Sequence, residues 1–377
     1  MLTNANASMR AIAFHLPQYH PVPENDGWWG KGFTEWTNVA QARPLFPGHH
    51  QPHLPADLGF YDLRLPEARA AQAELAKAYG IYGFCYYHYW FSGKRILERP
   101  VNDILQSGEP DFPFCICWAN ENWTRTWDGQ EKAVLLEQKY SEQDDRAHIR
   151  SLADTFRDPR YIRIDGKPLF LVYRTSKLPD PKRTSEIWRE EARQLGIGEL
   201  FLCRVESFAA DCVSLNPQEI GFDAAVGFQP DGRHVGNNLY RSKLIQKLDR
   251  IGIDFKRYGE NNSIFSYAQL VDNAISDDKP LPYKKFPCVT PQWDNSARRK
   301  NGALIFHDST PELYEKWLRA TIDKVKFDRP DENMVFINAW NEWGEGNHLE
   351  PCQKWGRAYL EATKRAIDSQ SHQKPTK

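Results

Sequence analysis

The stretch NMVFINAWNEWGEGNHLEP, residues 333–351, begins as an apolar segment and ends as an acidic loop interrupted by glycines. Its first half is rich in Val, Ile, Phe and Trp, which fit the pleated surface of a buried strand. Glu342 and Glu345 follow where the apolar segment ends, separated by Trp343 and Gly344. The stretch therefore predicts a buried strand that delivers two carboxylates to the carboxyl end of a sheet.

Seven more segments of the same kind precede it along the chain. Each is short, apolar and rich in β-branched or aromatic residues, as buried strands are. The seven are RAIAFHL (10–16), IYGFCYYHYW (81–90), FPFCICWAN (112–120), KPLFLVYR (167–174), ELFLCRVES (199–207), FDAAVGFQP (222–230) and FPCVTPQW (286–293). Together with residues 333–343 they make eight predicted strands.

Helical patterns separate most of these strands. The patterns with an apolar stripe and helix-forming residues are 66–80, 183–198, 311–325 and 356–367. Thr184 or Ser185 is the candidate N-cap of the second helix. Eight strands alternating with helices predict an α/β fold with a single (β/α)8 TIM barrel over residues 10–368. A doubly wound sheet is the alternative, although the sequence has no G-x-G-x-x-G motif and no phosphate-binding loop.

The chain ends and two connections fall outside this alternation. Residues 1–9 are expected to be disordered or loosely held, and residues 369–377 to form a flexible tail. Two connections, about 17–64 and 231–285, are long and rich in aromatic residues, without obvious helices. Long loops of this kind are more often functional than filler. In a (β/α)8 barrel, the loops that follow the strands gather at the C-terminal face, where active sites lie.

The charge of the chain is balanced. Lys plus Arg number 49 and Asp plus Glu number 50, so the formal net charge is −1. This balance provides no basic footprint for nucleic acid or for a membrane surface. No apolar run approaches the about 18 residues that a transmembrane helix needs. The N-terminus also lacks the pattern of a secretory signal. We therefore expect a cytoplasmic protein with no nucleic-acid partner and no integral membrane segment.

The cysteines and histidines do not form metal-binding patterns. The sequence has no zinc-type C-x2–4-C, no H-E-x-x-H and no redox C-x-x-C, so no metal and no cofactor is expected. The seven cysteines are odd in number, and most lie inside apolar segments, which predicts buried free thiols. A G-x-S-x-G motif is also absent, so a Ser-His-Asp hydrolase has no nucleophile to build on.

Polar and aromatic residues recur at the ends of the predicted strands. In one barrel these ends converge on a single mouth. Aromatic faces surrounded by amides and carboxylates suit a sugar, whose C–H faces stack on rings and whose hydroxyls need directed hydrogen bonds. The residues predicted to bind substrate are Tyr19, Trp36, Tyr87, His88, Trp90, Asn120, Glu121, Trp123, Arg174, Glu206, Gln292, Trp293, Asn338 and Trp340.

Glu342 and Glu345 are the candidate catalytic residues. Alternation along the last strand places Phe336, Asn338, Trp340 and Glu342 on one face. The polar Asn338 and Glu342 indicate that this face points into the barrel, toward the mouth. Cleavage of a glycosidic bond needs two carboxyl groups, one as acid and one as base or nucleophile. The alternative is structural, because glutamates also favour the first turn of a helix, with Asn341 as its N-cap.

Five stretches of the chain resemble the WbsX-like family. Its members are described as glycosyltransferases or lipopolysaccharide-biosynthesis proteins and as carrying a glycoside hydrolase family 99-like domain. The stretches are HLPQYHPVPENDGWWGKGFTEWTNV (15–39), HHQPHLPADLGFYDLR (49–64), YGFCYYHYWFSGK (82–94), CWANENWTRTWDG (117–129) and INAWNEWGEGNHLEP (337–351). The resemblance runs from about residue 10 to 365. It implies a (β/α)8 barrel and the chemistry of a retaining endo-acting α-mannosidase, with no metal or cofactor.

The resemblance also implies a role for each glutamate. The family 99 motif Glu-Trp-x-Glu-Gly matches Glu342, Trp343, Gly344, Glu345 and Gly346. Carried over, Glu342 is the base that deprotonates the substrate 2-hydroxyl, which then attacks the anomeric carbon to form a 1,2-anhydro sugar. Glu345 is the acid that protonates the leaving oxygen and then the base that activates water. Away from this motif the match is to the WbsX-like proteins, so the sugar does not carry over.

Three functions follow as hypotheses. The leading one is a retaining endo-acting glycoside hydrolase or transglycosylase acting on a bacterial-type surface polysaccharide or on its lipid-linked oligosaccharide precursor. The first alternative is a glycosyltransferase of polysaccharide or lipopolysaccharide biosynthesis that uses a sugar nucleotide, although the sequence has no Asp-x-Asp metal motif. The second alternative is a non-catalytic glycan-binding barrel, which would tolerate loss of both glutamates.

Overall fold

Eight parallel strands form the centre of the molecule, one at each predicted segment. A computed structural model describes residues 9–125, 130–207, 216–239, 262–299, 301–325 and 329–371. The strands are β1 (Arg10–His15), β2 (Ile81–Phe91), β3 (Phe114–Trp118), β4 (Lys167–Val172), β5 (Phe201–Glu206), β6 (Ala224–Gly227), β7 (Lys285–Phe286 and Cys288–Val289) and β8 (Met334–Ile337). Nearly all their residues are buried, as expected for parallel strands covered by helices.

The eight strands close into a barrel in chain order. Each strand pairs in parallel with the next, and β8 returns to pair with β1, with Ile12 opposite Phe336. Pro287 divides β7 because proline has no N–H to donate. The first half of β7 pairs with β6 and the second half with β8. The Pro287 carbonyl still accepts a hydrogen bond from the Phe336 N–H at 2.8 Å, so the ladder remains closed. The predicted (β/α)8 barrel is thus confirmed.

Aromatic side chains fill the upper interior of the barrel. The ring of Phe14 lies at the centre, with centroids 5.7 Å from Tyr87, 5.5 Å from Phe228 and 5.7 Å from Phe336. These four residues come from β1, β2, β8 and the segment that follows β6. Their packing forms a solid floor below the barrel mouth.

Six cysteines are buried and free, as predicted. They are Cys85, Cys115, Cys117, Cys203, Cys288 and Cys352. The seventh, Cys212, lies outside the described residues. Burial raises the pKa of several of these thiols, including Cys85 and Cys117, so they behave as small apolar side chains.

Ten α-helices accompany the strands in the described part of the chain. They are α1 (Pro23–Trp29), α2 (Glu35–Gln41), α3 (Pro66–Ala78), α4 (Arg99–Ser107), α5 (Glu142–Ser151), α6 (Ala153–Arg157), α7 (Pro181–Gln194), α8 (Tyr267–Ser276), α9 (Pro311–Lys324) and α10 (Ala358–Ser371). The four predicted helices correspond to α3, α7, α9 and α10. The predicted cap of α7 was wrong: Asp180 accepts a hydrogen bond from the Arg183 N–H, and Pro181 begins the helix. Thr184 and Ser185 are the fourth and fifth residues of the helix.

The two long connections contain more regular structure than their sequence indicated. The first carries α1 and α2, which are short, and their seven residues each leave little helical periodicity to detect. The second carries α8 and a strand, Ser263–Ser266, in its described part. That strand pairs with Leu304–His307, which in turn pairs with Trp293–Asp294, so one strand before β7 and two strands after it form a small sheet.

The chain ends are only partly described. Residues 1–8 and 372–377, which include most of the expected loose terminus and tail, lie outside the described residues. α10 continues to Ser371, so helix extends beyond the predicted start of the tail at 369. Among the described residues, no helix combines the length and the apolar character needed to cross a bilayer.

Candidate functional site

A cavity of about 870 Å³ opens beyond the carboxyl ends of the strands. Its volume lies within the range of about 300–1,000 Å³ typical of small-molecule sites. It lies at the face of the barrel where active sites occur in this fold. The predicted site residues that line it are Tyr87, Asn120, Glu121, Trp123, Trp293, Glu342 and Glu345.

Two carboxylates of the cavity wall come from a tight turn that follows β8. Asn341–Glu342 and Asn347–His348 pair as short antiparallel strands, and Trp343–Glu345 forms one turn of 3₁₀ helix between them. Gly346 closes the turn with a φ of +54°, a conformation that glycine adopts without strain. The turn directs Glu342 and Glu345 toward the same cavity.

A third carboxylate and one arginine complete this acidic cluster. Arg298 donates from Nε to Glu35 Oε1 at 2.7 Å and from Nη2 to Glu342 Oε1 at 2.5 Å. Its Nη1 lies 3.0 Å from Glu345 Oε1. The three carboxylates thus contact three different nitrogens of a single guanidinium. The side chains of Glu35, Glu342, Glu345 and Arg298 are 0, 6, 23 and 14% exposed.

Close packing at Gly344 holds the cluster together. A Cβ atom at this position would lie 1.7 Å from Glu35 Oε1 and 2.8 Å from Arg298 Nε. No real Cβ contact is that short, so the chain passes over the Glu35–Arg298 pair only because position 344 carries no side chain. The glycine of the Glu-Trp-Gly-Glu sequence is therefore required for this arrangement.

Burial changes the acidity of both predicted catalytic groups. Burial, reinforced by the neighbouring charges of Glu345 and Glu35 and opposed by Arg298, raises the pKa of Glu342 to about 8. Burial also raises the pKa of Glu345, again against the effect of Arg298. Near neutral pH Glu342 therefore retains a proton. A pair of carboxyl groups that holds one proton has the composition that general acid and base catalysis requires.

Asn341 fixes the turn to the end of β1. Its Oδ1 accepts a hydrogen bond from the Leu16 N–H at 2.7 Å, and its Nδ2 donates to the Leu16 carbonyl at 3.0 Å and to the Tyr61 hydroxyl at 3.1 Å. The Tyr19 hydroxyl donates to the Asn341 carbonyl and accepts from the Trp343 N–H. The alternative role of Asn341 as a helix N-cap is therefore wrong. Its side chain instead binds a neighbouring strand.

Glu350 forms a second buried centre behind the turn. Its carboxylate accepts hydrogen bonds from Trp343 Nε1 at 2.6 Å, Gln72 Nε2 at 2.7 Å and the Tyr61 hydroxyl at 2.9 Å. Burial, opposed by these donors, raises the pKa of Glu350 to about 7. This carboxyl group orients Trp343, the residue between the two predicted catalytic glutamates, and does not line the cavity.

Nine of the predicted substrate-binding residues do not line the cavity. They are Tyr19, Trp36, His88, Trp90, Arg174, Glu206, Gln292, Asn338 and Trp340. All nine are buried and packed against other parts of the protein. Tyr19 and Trp36 belong to the layer behind the turn, where Trp36 Nε1 donates to the Tyr61 carbonyl at 2.8 Å.

Alternation along β2 explains the position of His88 and Trp90. Tyr87 and Tyr89 line the cavity, so the residues next to them point outward, under α5. His88 Nε2 lies 2.9 Å from His148 Nε2, and the Trp90 ring stacks on the His148 ring. Burial lowers the pKa of His88 to about 3, so it stays neutral. The positions of His88 and Trp90, outside the cavity, therefore do not support their predicted contact with substrate.

The alternation predicted for residues 336–342 was wrong. β8 ends at Ile337, so strand alternation does not apply to the side chains of Asn338 and Trp340. Asn338 Nδ2 donates to the Gln229 carbonyl at 2.7 Å, and Trp340 packs against the outer side chain Phe84 at 5.1 Å. Trp340 therefore faces the helical layer, whereas Glu342 faces the mouth.

Ion pairs and hydrogen bonds account for three further predicted residues. Arg174 pairs with Glu121, which is the member that lines the cavity. Glu206 accepts from Arg204 at 2.8 Å and pairs with Lys285 at 2.7 Å below the mouth. Gln292 Nε2 lies 3.2 Å from His348 Nε2, behind the turn. These ion pairs and hydrogen bonds therefore hold the three side chains away from the cavity.

Several residues of the cavity wall are not among those predicted to bind substrate. They include Asn25, Trp29, Tyr89, Tyr140, Tyr173, Phe228, Asn295, Arg298 and Arg299, while Glu35 lies directly behind the wall. Of these, Tyr89, Tyr173 and Asn295 do lie at the ends of predicted strands. Tyr89 was detectable, because it follows Tyr87 by two residues on β2. Arg298 had one weak signal, its place in a loop after a predicted strand. Glu35 had none, because it lies 263 residues from Arg298 along the chain.

The acidic cluster is occupied by the protein's own cation. Three carboxylates grouped in one place are a plausible set of metal ligands by type. Here the Arg298 guanidinium fills the space between them. Across the described ranges, no group of three or more His, Cys, Asp or Glu residues is arranged to hold a metal ion.

Known proteins resemble this chain over most of its length. The sequence model of the family described as "Glycosyltransferase WbsX" matches residues 11–363. The "Uncharacterized protein WxcX" of Xanthomonas campestris pv. campestris strain B100 is 44% identical over 358 residues. That alignment covers 94% of this chain and 49% of the relative, so the chain spans about half the length of the curated relatives it matches.

Two solved structures share the fold. One, described as a "Glycoside hydrolase-like protein", has a TM-score of 0.59 at 14% identity and covers 97% of this chain and 96% of its own. The other is the GH99 endo-alpha-mannosidase from Bacteroides thetaiotaomicron, with a TM-score of 0.56 at 16% identity, covering 96% of this chain and 97% of its own. At these identities the likeness establishes the barrel architecture alone.

Proposed function

Because the chain belongs to the WbsX glycosyltransferase family, we propose that it is a carbohydrate-active enzyme that breaks or transfers a glycosidic bond. The substrate class is a surface polysaccharide or its lipid-linked oligosaccharide precursor. One observation carries the proposal: Glu342 and Glu345 lie together in the wall of a large cavity at the catalytic face of a (β/α)8 barrel. The Glu-Trp-x-Glu-Gly resemblance and the shared fold with a GH99 endo-alpha-mannosidase support the same reading.

The cavity wall suits an uncharged sugar. Aromatic rings of Trp29, Tyr89, Trp123 and Trp293 offer faces and edges for stacking on sugar C–H groups. The cavity also offers amides and hydroxyls for directed hydrogen bonds. Its basic residues are Lys177, Arg298 and Arg299, and its acidic residues are Glu121, Glu342 and Glu345. Glu342 holds a proton near neutral pH, but the Glu35 carboxylate lies directly behind the wall, so the positive and negative charges at the cavity still balance. A neutral glycan therefore needs no compensating charge.

The proposed reaction uses the substrate's own hydroxyl as the nucleophile. Glu342, as carboxylate, takes the proton of the sugar 2-hydroxyl while that oxygen forms a bond to the anomeric carbon. The anomeric carbon releases the leaving oxygen, which receives a proton from Glu345. Glu345, now ionised, removes a proton from water or from an acceptor hydroxyl that opens the 1,2-anhydro ring. Glu342 returns its proton to the 2-oxygen, and the configuration is retained after two inversions.

This scheme requires one proton on the pair, located on Glu345. The raised pKa of about 8 places the proton on Glu342 instead. A sugar hydroxyl that donates a hydrogen bond to Glu342 would stabilise its ionised form and oppose the effect of burial. The proposed scheme therefore requires that substrate binding move the proton to Glu345. If the proton does not move, the acid and base roles are exchanged.

The leaving group separates these two assignments. We expect Glu342→Gln and Glu345→Gln each to abolish cleavage of a natural glycan while binding is retained. A glycosyl fluoride or aryl glycoside needs no acid, so it restores the first step in the variant that lacks the acid. Restoration in Glu345→Gln alone supports the proposed roles, and restoration in Glu342→Gln alone reverses them. Glu67→Gln, an exposed glutamate of α3, is the matched control. Full activity of both site variants contradicts the proposed site.

A glycosyltransferase is the second candidate, favoured by the family description. It would transfer a sugar from a nucleotide donor to a glycan or lipid-linked acceptor. The distinguishing assay offers the protein surface glycans with and without sugar nucleotides. Turnover that needs the nucleotide supports the transferase and excludes the hydrolase. Binding of glycan with no turnover, unchanged in both glutamine variants, supports a glycan-binding barrel instead.

A further inference from the structure

Arg298 is the only residue in the described part of the chain that contacts Glu35, Glu342 and Glu345 together. It reaches them from the loop after β7, whereas Glu35 comes from the start of α2 and the other two from the turn after β8. Three segments that are distant in sequence thus meet at one guanidinium. A planar guanidinium with five donors in a fixed fork holds several carboxylates in set directions, whereas the three donors of an ammonium group rotate on a flexible stem.

The charges of this cluster do not cancel. Three carboxylates surround one guanidinium, and Glu35 and Glu342 are almost fully buried. A second uncompensated negative charge in such a place is costly, so the cluster favours one additional proton. Glu35 has no other role in the geometry, because it does not line the cavity and its Oε2 has no hydrogen-bond partner among the described residues. This buried carboxylate instead forms an ion pair with Arg298.

We propose that Arg298 and Glu35 are positioning residues of the site: Arg298 holds Glu342 and Glu345 in one array, and the negative charge of Glu35 keeps a proton on that pair. This inference rests on the proposed function for its consequence in catalysis, although the charge array itself exists without substrate. Arg298 acts through the two glutamates, and Glu35 acts through Arg298 and by direct repulsion. The first long connection therefore contributes to the site through α2.

Close packing supports this array. Gly344 passes so close to Glu35 and Arg298 that a Cβ atom at position 344 would overlap both side chains. The Glu35 N–H donates to the Gln18 carbonyl at 3.3 Å, which anchors the start of α2 to the segment after β1. Arg298 also reaches the mouth from a loop that begins with the small sheet strand Trp293–Asp294. Such support is what a precise catalytic array requires.

Other charged and titratable groups also face the pair. Tyr19, Tyr87 and Tyr89 lie near Glu342, and burial raises the pKa of each, so all three remain neutral. Arg299 lowers the pKa of Glu345, in addition to Arg298. Glu350 lies behind the turn and interacts with Tyr19. Among these groups, Glu35 is the carboxylate whose repulsion acts on both predicted catalytic residues.

The test compares opposite changes of charge. Glu35→Gln removes a negative charge while keeping the shape, so the pKa of Glu342 should fall by about one unit or more, the range for a neighbouring charge. Arg298→Met removes a positive charge and should raise the pKa of Glu342. The pKa is read from ¹³C NMR titration of protein labelled at the glutamate carboxyl carbons, with Glu342→Gln identifying the signal. Glu191 is a buried carboxylate that Arg150 and Arg146 hold between α5 and α7. Glu191→Gln is therefore the control and should leave the pKa of Glu342 unchanged.

Two further variants keep the test decisive if Arg298→Met does not fold. The double variant Glu35→Gln/Arg298→Met keeps the net charge, so it should fold better than Arg298→Met and bring the Glu342 pKa back toward the original value. Arg298→Lys keeps the charge but lacks the rigid fork that sets the directions of the three carboxylates. Turnover should therefore fall at least about 100-fold, as expected when reacting groups are misplaced by about 1 Å. Unchanged turnover in Arg298→Lys overturns the positioning role.

Catalysis supplies the second readout. With a cleavable glycan, Glu35→Gln should move both limbs of the pH–rate profile to lower pH, a displacement that a purely structural defect does not produce. A Glu342 pKa that stays constant in Glu35→Gln overturns the inference, whether or not a glycan is cleaved. A Glu342 pKa that moves as expected in a protein that cleaves no glycan supports the charge array and counts against the proposed function.

Discussion

A single methyl group at position 344 shows how little space separates the components of the site. It would lie 1.7 Å from Glu35 Oε1, so the carboxylate, the arginine or the turn would have to move. Glycine is usually explained by backbone conformation, but the backbone of Gly344 does not have a positive φ. The requirement here is volume. The x of the Glu-Trp-x-Glu-Gly motif is therefore constrained in this chain by the two side chains beneath it.

We predict that Gly344→Ala lowers turnover at least about 100-fold, because displacing reacting groups by about 1 Å has effects of that size. The protein should remain folded, since the change affects one turn. Turnover and circular dichroism of the purified variant check both expectations. Gly232→Ala, where a Cβ meets nothing within 4 Å, is the matched control and should retain activity. Normal turnover in Gly344→Ala would contradict the tight packing described.

At the scale of elements, short helices of the first long connection complete a site that the barrel begins. α1 has only seven residues, yet Asn25 and Trp29 from it line the cavity. Glu24 pairs with Lys94 at 2.6 Å and Trp28 packs edge-on against Trp123 at 5.6 Å, so α1 is fixed to the loops after β2 and β3. Asn25 is fully buried, and neither atom of its amide has a partner within the described residues. Both amide atoms have almost no exposed surface, so substrate could reach this amide only if neighbouring side chains of the cavity wall move.

We predict that Asn25→Leu raises KM without lowering the free energy of unfolding. An unpartnered buried polar group costs about 1–3 kcal/mol, so its replacement by an apolar side chain of similar size does not destabilise the fold. Asn341→Ala is the contrasting control, because that amide makes three buried hydrogen bonds and its loss should lower the free energy of unfolding by about 1–3 kcal/mol. Urea denaturation and substrate titration measure the two quantities. Equal destabilisation by both changes would show that Asn25 has a structural partner.

At the scale of the whole molecule, the raised pKa of Glu342 makes stability depend on pH. The pKa of Glu342 is about 8 in the folded protein, against an ordinary value of 4.5 for a glutamate in an unfolded chain. Between these two values the folded state binds more protons than the unfolded state, so stability falls as pH rises. Above pH 8 the contribution is constant.

We predict that Glu342→Gln increases the free energy of unfolding, and that the increase grows between about pH 4.5 and pH 8. Each unit of pKa difference corresponds to roughly 1.4 kcal/mol, which makes the gain at pH 8 on the order of a few kcal/mol. Urea denaturation of both proteins at several pH values measures this difference. Glu67→Gln on the exposed face of α3 should show no such trend. A gain that does not depend on pH would place the Glu342 pKa near its ordinary value.

The sequence by itself determined the barrel and the placement of its acidic turn. Eight apolar segments specify eight strands because side chains of parallel strands are buried on both faces, and this preference is local. The same local chemistry located Glu342 and Glu345 after β8, and it placed Tyr87, Asn120, Trp123 and Trp293 at the cavity wall. Local alternation failed only where a strand ended early, as at Ile337, or where it was not applied, as at His88.

Tertiary structure alone decided which charges meet. Arg298 lies 44 residues from Glu342 and 263 from Glu35, and no local pattern relates such positions. The closing of the barrel and the folding of the first long connection over its mouth bring α2 to the turn after β8. The pKa values of Glu342 and Glu345 depend on this tertiary arrangement, because burial and neighbouring charges shift them from the ordinary value of a glutamate.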